Sequence, residues 1–111
     1  MDTLRAFAIG QANRGKELMV FDWDKAARII KERGAKNAGA GLSGDWEWTG
    51  GDILTDGKPN TEDYTYLSST WATPKLCIDG EYIDCYVMES KTEWDRETKW
   101  PESALKILEG S

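Results

Sequence analysis

A chain of 111 residues, 40% hydrophobic and 31% charged, can build one modest core and is too apolar to be disordered throughout. It contains no histidine, which excludes imidazole acid–base catalysis, Ser-His-Asp and Cys-His nucleophiles, and nearly every zinc or haem site. Residues 1–44 hold eight basic and five acidic side chains and residues 45–111 hold six and fifteen, so a +3 part precedes a −9 part; direct nucleic-acid binding, which needs a concentrated cationic surface, is not expected.

No apolar run reaches the length of a membrane span, and MDTLRAFAIGQANRGKE lacks the basic-then-apolar layout of a signal peptide. The expected organisation is one domain over 1–111, with no membrane contact and a cytoplasmic location. TLRAFAI (3–9) is short and apolar, a helical turn or a strand closed by Gly10 and Gly15. LMVF (18–21) is a strand or the lead into a helix. The clearest element follows, in DWDKAARIIKERG. Asp22 is a good N-cap, Asp24 lies in the first turn, Lys31 and Arg33 in the last, and Gly34 suits the left-handed cap position. This predicts a helix over 23–33 with Trp23, Ala26, Ala27 and Ile30 as its buried stripe.

Glycines disfavour helix between residues 35 and 57. Alternation in WEWT and ILT predicts two strands separated by Gly50-Gly51, and residues 57–64 read as a polar loop. YTYLSSTWAT begins a long strand that runs into TPKLCIDGEYIDCYVME. There, Asp79-Gly80 between alternating segments predicts a type I′ turn. Ile78 then faces Glu81, Leu76 faces Ile83, Cys77 faces Tyr82, Lys75 faces Asp84 and Ala72 faces Val87. One face collects Ala72, Leu76, Ile78, Ile83, Cys85 and Val87 for the core. The other collects Trp71, Thr73, Lys75, Cys77, Tyr82, Asp84, Tyr86 and Met88. Pro74 falls opposite Cys85 without an N–H to donate, which predicts a bulge or an edge position there. After the charged segment KTEWDRETKW, Pro101 at the first helical position and Gly110 past the end predict a helix over 101–109, packing Ala104, Leu105 and Leu108 on the sheet. The expected class is α+β: an antiparallel sheet of about four to five strands with a C-terminal hairpin (69–90), packed by helices 23–33 and 101–109.

Motifs that could carry chemistry are weak. Cys77 and Cys85 fall on opposite faces of the hairpin, which disfavours a disulfide, and neither has the spacing of a metal set. Gly39-Ala40-Gly41-Leu42-Ser43-Gly44 spells G-x-G-x-x-G, but a helix precedes it and no helix opens within it, so a loop or irregular strand fits better than a dinucleotide site. Residues 52–63 imitate a calcium loop through Asp52, Asp56, Glu62 and Asp63, yet Leu54 and Pro59 break the pattern. Asp45 and Glu47 share a strand face with Trp46 and Trp48 opposite, a poor glycosidase candidate in so small a chain. No catalytic residue, metal or cofactor is expected.

What remains is surface. Either the N-terminal segment or the last helix covers the Trp71, Tyr82, Asp84, Tyr86 and Met88 face, or that face is a contact site whose acidic rim includes Glu93, Asp95 and Glu97. The leading expectation is a non-catalytic interaction module that binds a basic, nucleic-acid-handling protein. In size and charge the chain is similar to inhibitors of the anti-CRISPR or anti-restriction type carried by mobile elements. A homodimer contact is another use of such a face. The alternative function is an accessory domain that binds a carbohydrate or other small ligand through its Trp-rich strands.

Overall fold

The computed structural model describes residues 6–13, 17–43, 48–62, 64–69, 73–89 and 97–110. The chain order is β1 (Ala6–Asn13), β2 (Glu17–Phe21), α1 (Trp23–Arg33), β3 (Ala38–Ser43), β4 (Trp48–Thr55), β5 (Lys58–Pro59), β6 (Tyr64–Ser69), β7 (Thr73–Ile78), β8 (Glu81–Asp84), β9 (Tyr86–Glu89), β10 (Glu97–Thr98) and α2 (Glu102–Glu109). The class is α+β, with both helices where the sequence places them. The strands divide between two five-stranded sheets, in the orders β10-β6-β1-β2-β9 and β5-β4-β3-β7-β8. The second is antiparallel throughout, and the first contains one parallel pair, β1 with β6. No helix among the described residues is long and apolar enough to cross a membrane.

Helix α1 forms for the reasons its sequence gives. The Asp22 carboxylate accepts from the Lys25 N–H at 3.0 Å, and Gly34 takes the left-handed conformation that closes the last turn. Its stripe of Trp23, Ala26, Ala27 and Ile30 is buried. Helix α2 begins one residue later than predicted, because Pro101 is extended (φ −74°, ψ 157°) and serves as N-cap. Ser103 Oγ lies 2.9 Å from Asp24 Oδ1 near the start of both helices, and the Lys31 ammonium lies against Gly110 near both ends. The two helices therefore run side by side in the same direction. Their C-terminal partial negative charges meet at one end, where Lys31 offsets them.

The helices bury their apolar stripes with Ala40 of β3, Ile53 and Leu54 of β4, and Leu76 and Ile78 of β7, in a core that also takes in Val20, Phe21, Cys85, Trp100 and Ala104. Leu105, Ile107 and Leu108 pack on it half-buried. One irregularity anchors this core. Ala38 pairs with Leu54 and Gly39 with Asp52, so Ile53 is the extra residue of a bulge. Its carbonyl faces the β5 side, where it accepts the Asn60 N–H at 2.9 Å, the next rung beyond the Thr55–Lys58 pair, and the Trp100 indole N–H at 2.8 Å. Trp100 in turn packs on Trp23, with ring centroids 4.5 Å apart.

Three local expectations change. Gly50-Gly51 does not break a strand: β4 runs through both glycines, since Gly50 lies opposite Gly41 and Gly51 opposite Ala40. Asp56-Gly57 makes a second two-residue turn, both residues at positive φ, and Lys58-Pro59 returns as β5 rather than as loop. The segment from Tyr64 does not continue as one strand, because β6 and β7 lie in different sheets.

Candidate functional site

The stretch from Thr73 to Glu89 holds most of the residues that the sequence singles out as a contact face. Asp79 (φ 53°) and Gly80 (φ 78°) form the type I′ turn, and the register beyond it is the predicted one: Ile78 with Glu81, Cys77 with Tyr82, Leu76 with Ile83, Lys75 with Asp84. In β7, Pro74, Leu76 and Ile78 are buried while Thr73, Lys75 and Cys77 are half-buried.

At Pro74 the hairpin ends, and here the fold departs from the single 69–90 hairpin. The Cys85 N–H still donates to the Pro74 carbonyl at 3.1 Å. Pro74 has no N–H to return, so the Cys85 carbonyl is free and accepts the Asp22 N–H at 3.1 Å instead. The Cys85 thiol donates to the Asp22 carbonyl, also at 3.1 Å, where an amide would ordinarily sit. Cys85 thus hands the chain from one sheet to the other, and β9 pairs with β2: Tyr86 with Phe21, Val87 with Val20, Met88 with Met19. Pro74 is not at an edge, since β7 lies between β3 and β8. It ends the pairing instead. Val87, assigned by alternation to the core face opposite Ala72, is exposed and pairs across the other sheet.

Strands β8 and β9 are each the last strand of their sheet, so the continuous run 81–89 forms one edge shared by both. Its backbone pattern follows from the ladders. Hydrogen-bonded pairs alternate along antiparallel strands. With Asp22–Cys85 bonded, Val87 and Glu89 turn their backbone groups toward β2, and Tyr86 and Met88 turn theirs outward. With Pro74–Cys85 bonded, Tyr82 and Asp84 likewise face outward. The Asp84 carbonyl accepts from Lys25 Nζ at 3.0 Å.

The side chains of this edge are apolar and open. Among the described residues the exposed large hydrophobics are Tyr82 (47%), Met88 (42%), Tyr86 (38%) and Val87 (38%), all within seven consecutive positions. Tyr82 leans on Trp48, ring centroids 4.9 Å apart at 30°, and Trp48 lies over Gly39 and Gly50. The acidic neighbours are partly neutralised within the chain: Lys75 Nζ lies 2.6 Å from Asp84, and Arg33 lies 3.5 Å from Asp79 and 3.3 Å from Glu81. Of the other residues expected at the site, Trp71, Glu93 and Asp95 fall outside the described residues. Glu97 lies on β10, the opposite edge of the sheet from β9, so the fold does not bring it beside Tyr86 and Met88.

Neither cysteine is disposed to act as a nucleophile. Burial pushes the Cys85 thiol up to about 12, with Asp22 adding to the effect, and burial followed by the Asp52 charge raises Cys77. The raised Cys85 value has a consequence for stability. An unfolded thiol ionises near 9 while folded Cys85 stays protonated to about 12, so its contribution is complete below pH 9 and declines as pH rises through that window. The slope is about 1.4 kcal/mol per pH unit. Cys85→Ala should cost about 1–2 kcal/mol at neutral pH through the lost thiol bond and sulfur contacts, and the gap to wild type should shrink by about 2 kcal/mol by pH 10.5. Urea midpoints of both proteins at the two pH values measure this. A pH-independent gap would show that Cys85 is not held protonated.

Elsewhere, a groove of about 530 Å³ lies between the C-terminal ends of the helices and the β4–β5 turn, lined by Ile30, Leu54, Leu105 and Leu108 with Lys31 and Lys36. No aromatic side chain lines it among the described residues, so it offers a sugar ring nothing to stack on. Gly39 to Ser43 lie in β3 between β4 and β7, not on a phosphate loop. Among the described residues no three of Cys, Asp and Glu gather as a metal-binding group. No protein family, curated protein or solved structure matches the chain.

Proposed function

We propose that this protein is a non-catalytic interaction module that docks another protein on its shared edge, residues 81–89. The observation that carries this reading is the concentration of exposed large apolar side chains at Tyr82, Tyr86, Val87 and Met88. A patch of this kind beside charged groups is the make-up of a contact site, with aromatic and methionine anchors inside a polar rim. The lack of histidine and the raised thiols support a role without catalysis. The −9 charge of residues 45–111 favours a basic partner through electrostatic steering. A nucleic-acid-handling protein fits that charge, and an inhibitor of the anti-CRISPR or anti-restriction type is the biological form the reading takes.

The test is affinity capture at low salt from the source cell, with wild type beside the Tyr82→Ser, Tyr86→Ser, Met88→Ser triple variant. The expected result is a basic protein retained by wild type, released at high salt, and bound at least about tenfold more weakly by the variant. A partner retained equally by both proteins would sink the reading. One observation supports a second use: the half-open Trp48–Tyr82 pair is a flat aromatic surface on which a sugar could stack, and Trp fluorescence titrated with a sugar panel would report it.

A further inference from the structure

The proposed partner surface has an unusual backbone, and from it we infer how the partner binds: an extended segment carrying lysine or arginine adds as a further strand to the outer side of β9. This rests on the reading of residues 81–89 as a docking edge and specifies its mode.

Tyr86 and Met88 turn their N–H and C=O groups away from β2, and among the described residues no backbone group pairs with them. Such a row is a template for another strand. Edge strands are usually guarded by proline, lysine, a bulge or a covering element. Residues 86–89, Tyr-Val-Met-Glu, have neither Pro nor Lys, and their register with β2 is unbroken. The adjoining β8 arm is guarded, because Lys25 Nζ holds the Asp84 carbonyl. The open stretch therefore starts where Lys25 ends its reach and coincides with the exposed side chains of Tyr86, Val87 and Met88.

Charge selects the occupant. Residues 81–89 contain Glu81, Asp84 and Glu89 and no base. Two copies of this edge would bring acids together with only Arg33 and Lys75 to offset them, and like charges on paired strands are destabilising. The Arg33 and Lys75 partners of Glu81 and Asp84 do not saturate them, since those acidic side chains stay 61% and 63% exposed and exposed pairs are weak. A strand that carries lysine or arginine among its apolar residues is drawn to this acidic run and sets its apolar residues against Tyr86 and Met88.

Amide hydrogen exchange tests this without an identified partner. In the free chain the Val87 and Glu89 amides should be protected and those of Tyr86 and Met88 should exchange rapidly. A short synthetic peptide alternating lysine and valine should then slow Tyr86 and Met88 at least about tenfold. The same peptide with glutamate for lysine, or with the pairing amides N-methylated, should not. Met88→Pro, which removes an outward N–H together with the Met88 side chain, should abolish the effect, and the N-methylated peptide, which leaves every side chain of this protein in place, separates the backbone contribution from that of the side chain. Lys25→Ala should strengthen peptide binding several-fold by baring the Asp84 carbonyl. Slow exchange at Tyr86 and Met88 in the free chain, whether from the chain itself or from a second copy seen in sedimentation, would overturn the proposal. So would an unresponsive pair of amides. If the Ser triple variant loses its captured partner while these amides do not respond, the docking edge stands and strand addition alone fails.

Discussion

Trp100→Ala is expected to cost about 3–5 kcal/mol, a large share of the 5–15 kcal/mol available to an ordinary domain. Trp100 is 3% exposed, packs on Trp23, and donates its indole N–H to the Ile53 carbonyl at 2.8 Å. Removing the ring empties space between β4 and the two helices. It also takes one of two donors from the Ile53 carbonyl, leaving it the Asn60 N–H alone. Trp100→Phe separates the two contributions. The phenyl ring keeps much of the contact with Trp23 and loses the hydrogen bond, for a cost of about 1–2 kcal/mol. Urea unfolding with matched m-values measures both. A Trp100→Ala loss below about 1 kcal/mol would mean that α2 is not anchored through this residue.

The signals around Trp100 were only partly legible in the sequence. Pro101 announced a helix, and the spacing of Ala104, Leu105 and Leu108 announced its buried side. Nothing local announced that Ile53 would bulge, because the bulge is a mismatch of β4 against β3 and depends on the register between two separate segments. Helix α1 was legible to the residue, since cap, stripe and terminator all lie within its own turns. The Asp79-Gly80 turn and its register were legible for the same reason. Asp56-Gly57 gives the same turn signal, but the polar Lys58 and Pro59 beyond it hid a strand of two residues.

What alternation could not tell is which sheet a strand joins. The period-two pattern runs unbroken from Glu81 to Glu89, yet Cys85 divides it between two sheets. Pro74 was the signal: its missing N–H marked the place where pairing must stop, and the stop proved to be a handover and not a bulge. Val87 went to the wrong environment for that reason, and Glu97 joined the expected rim only because sequence proximity says nothing about opposite sheet edges. Tyr82, Asp84, Tyr86 and Met88 occupy alternate positions of 81–89, so their backbone groups turn outward together on both strands.

The second large effect is expected at Gly50. This residue lies mid-strand opposite Gly41, and a Cβ there would sit 2.4 Å from the Ala40 carbonyl oxygen, 2.8 Å from Gly41 Cα and 2.8 Å from Trp48 Cζ2. Two of these three are backbone, so no side-chain rotation relieves them. The β3–β4 ladder must open or the chain must shift register. Gly50→Ala should therefore cost about 3 kcal/mol or more, beyond the usual range for an added methyl group. Gly39→Ala supplies the graded comparison, because its closest approach is 3.2 Å to the Gly51 carbonyl oxygen, and a loss of about 1–2 kcal/mol is expected. Gly80→Ala isolates conformation from space: nothing lies within 4 Å and only φ +78° opposes the side chain, at a cost of about 1 kcal/mol. Urea midpoints should fall in the order Gly80→Ala, Gly39→Ala, Gly50→Ala. The same series tests the edge, since Trp48 rests on Gly50 and supports Tyr82. Where a Gly50→Ala protein still folds, Tyr82 should lose its Trp48 contact, visible as a change in Trp fluorescence that Gly80→Ala does not produce. A Gly50→Ala variant no less stable than Gly80→Ala would mean that β3 and β4 do not approach through paired glycines.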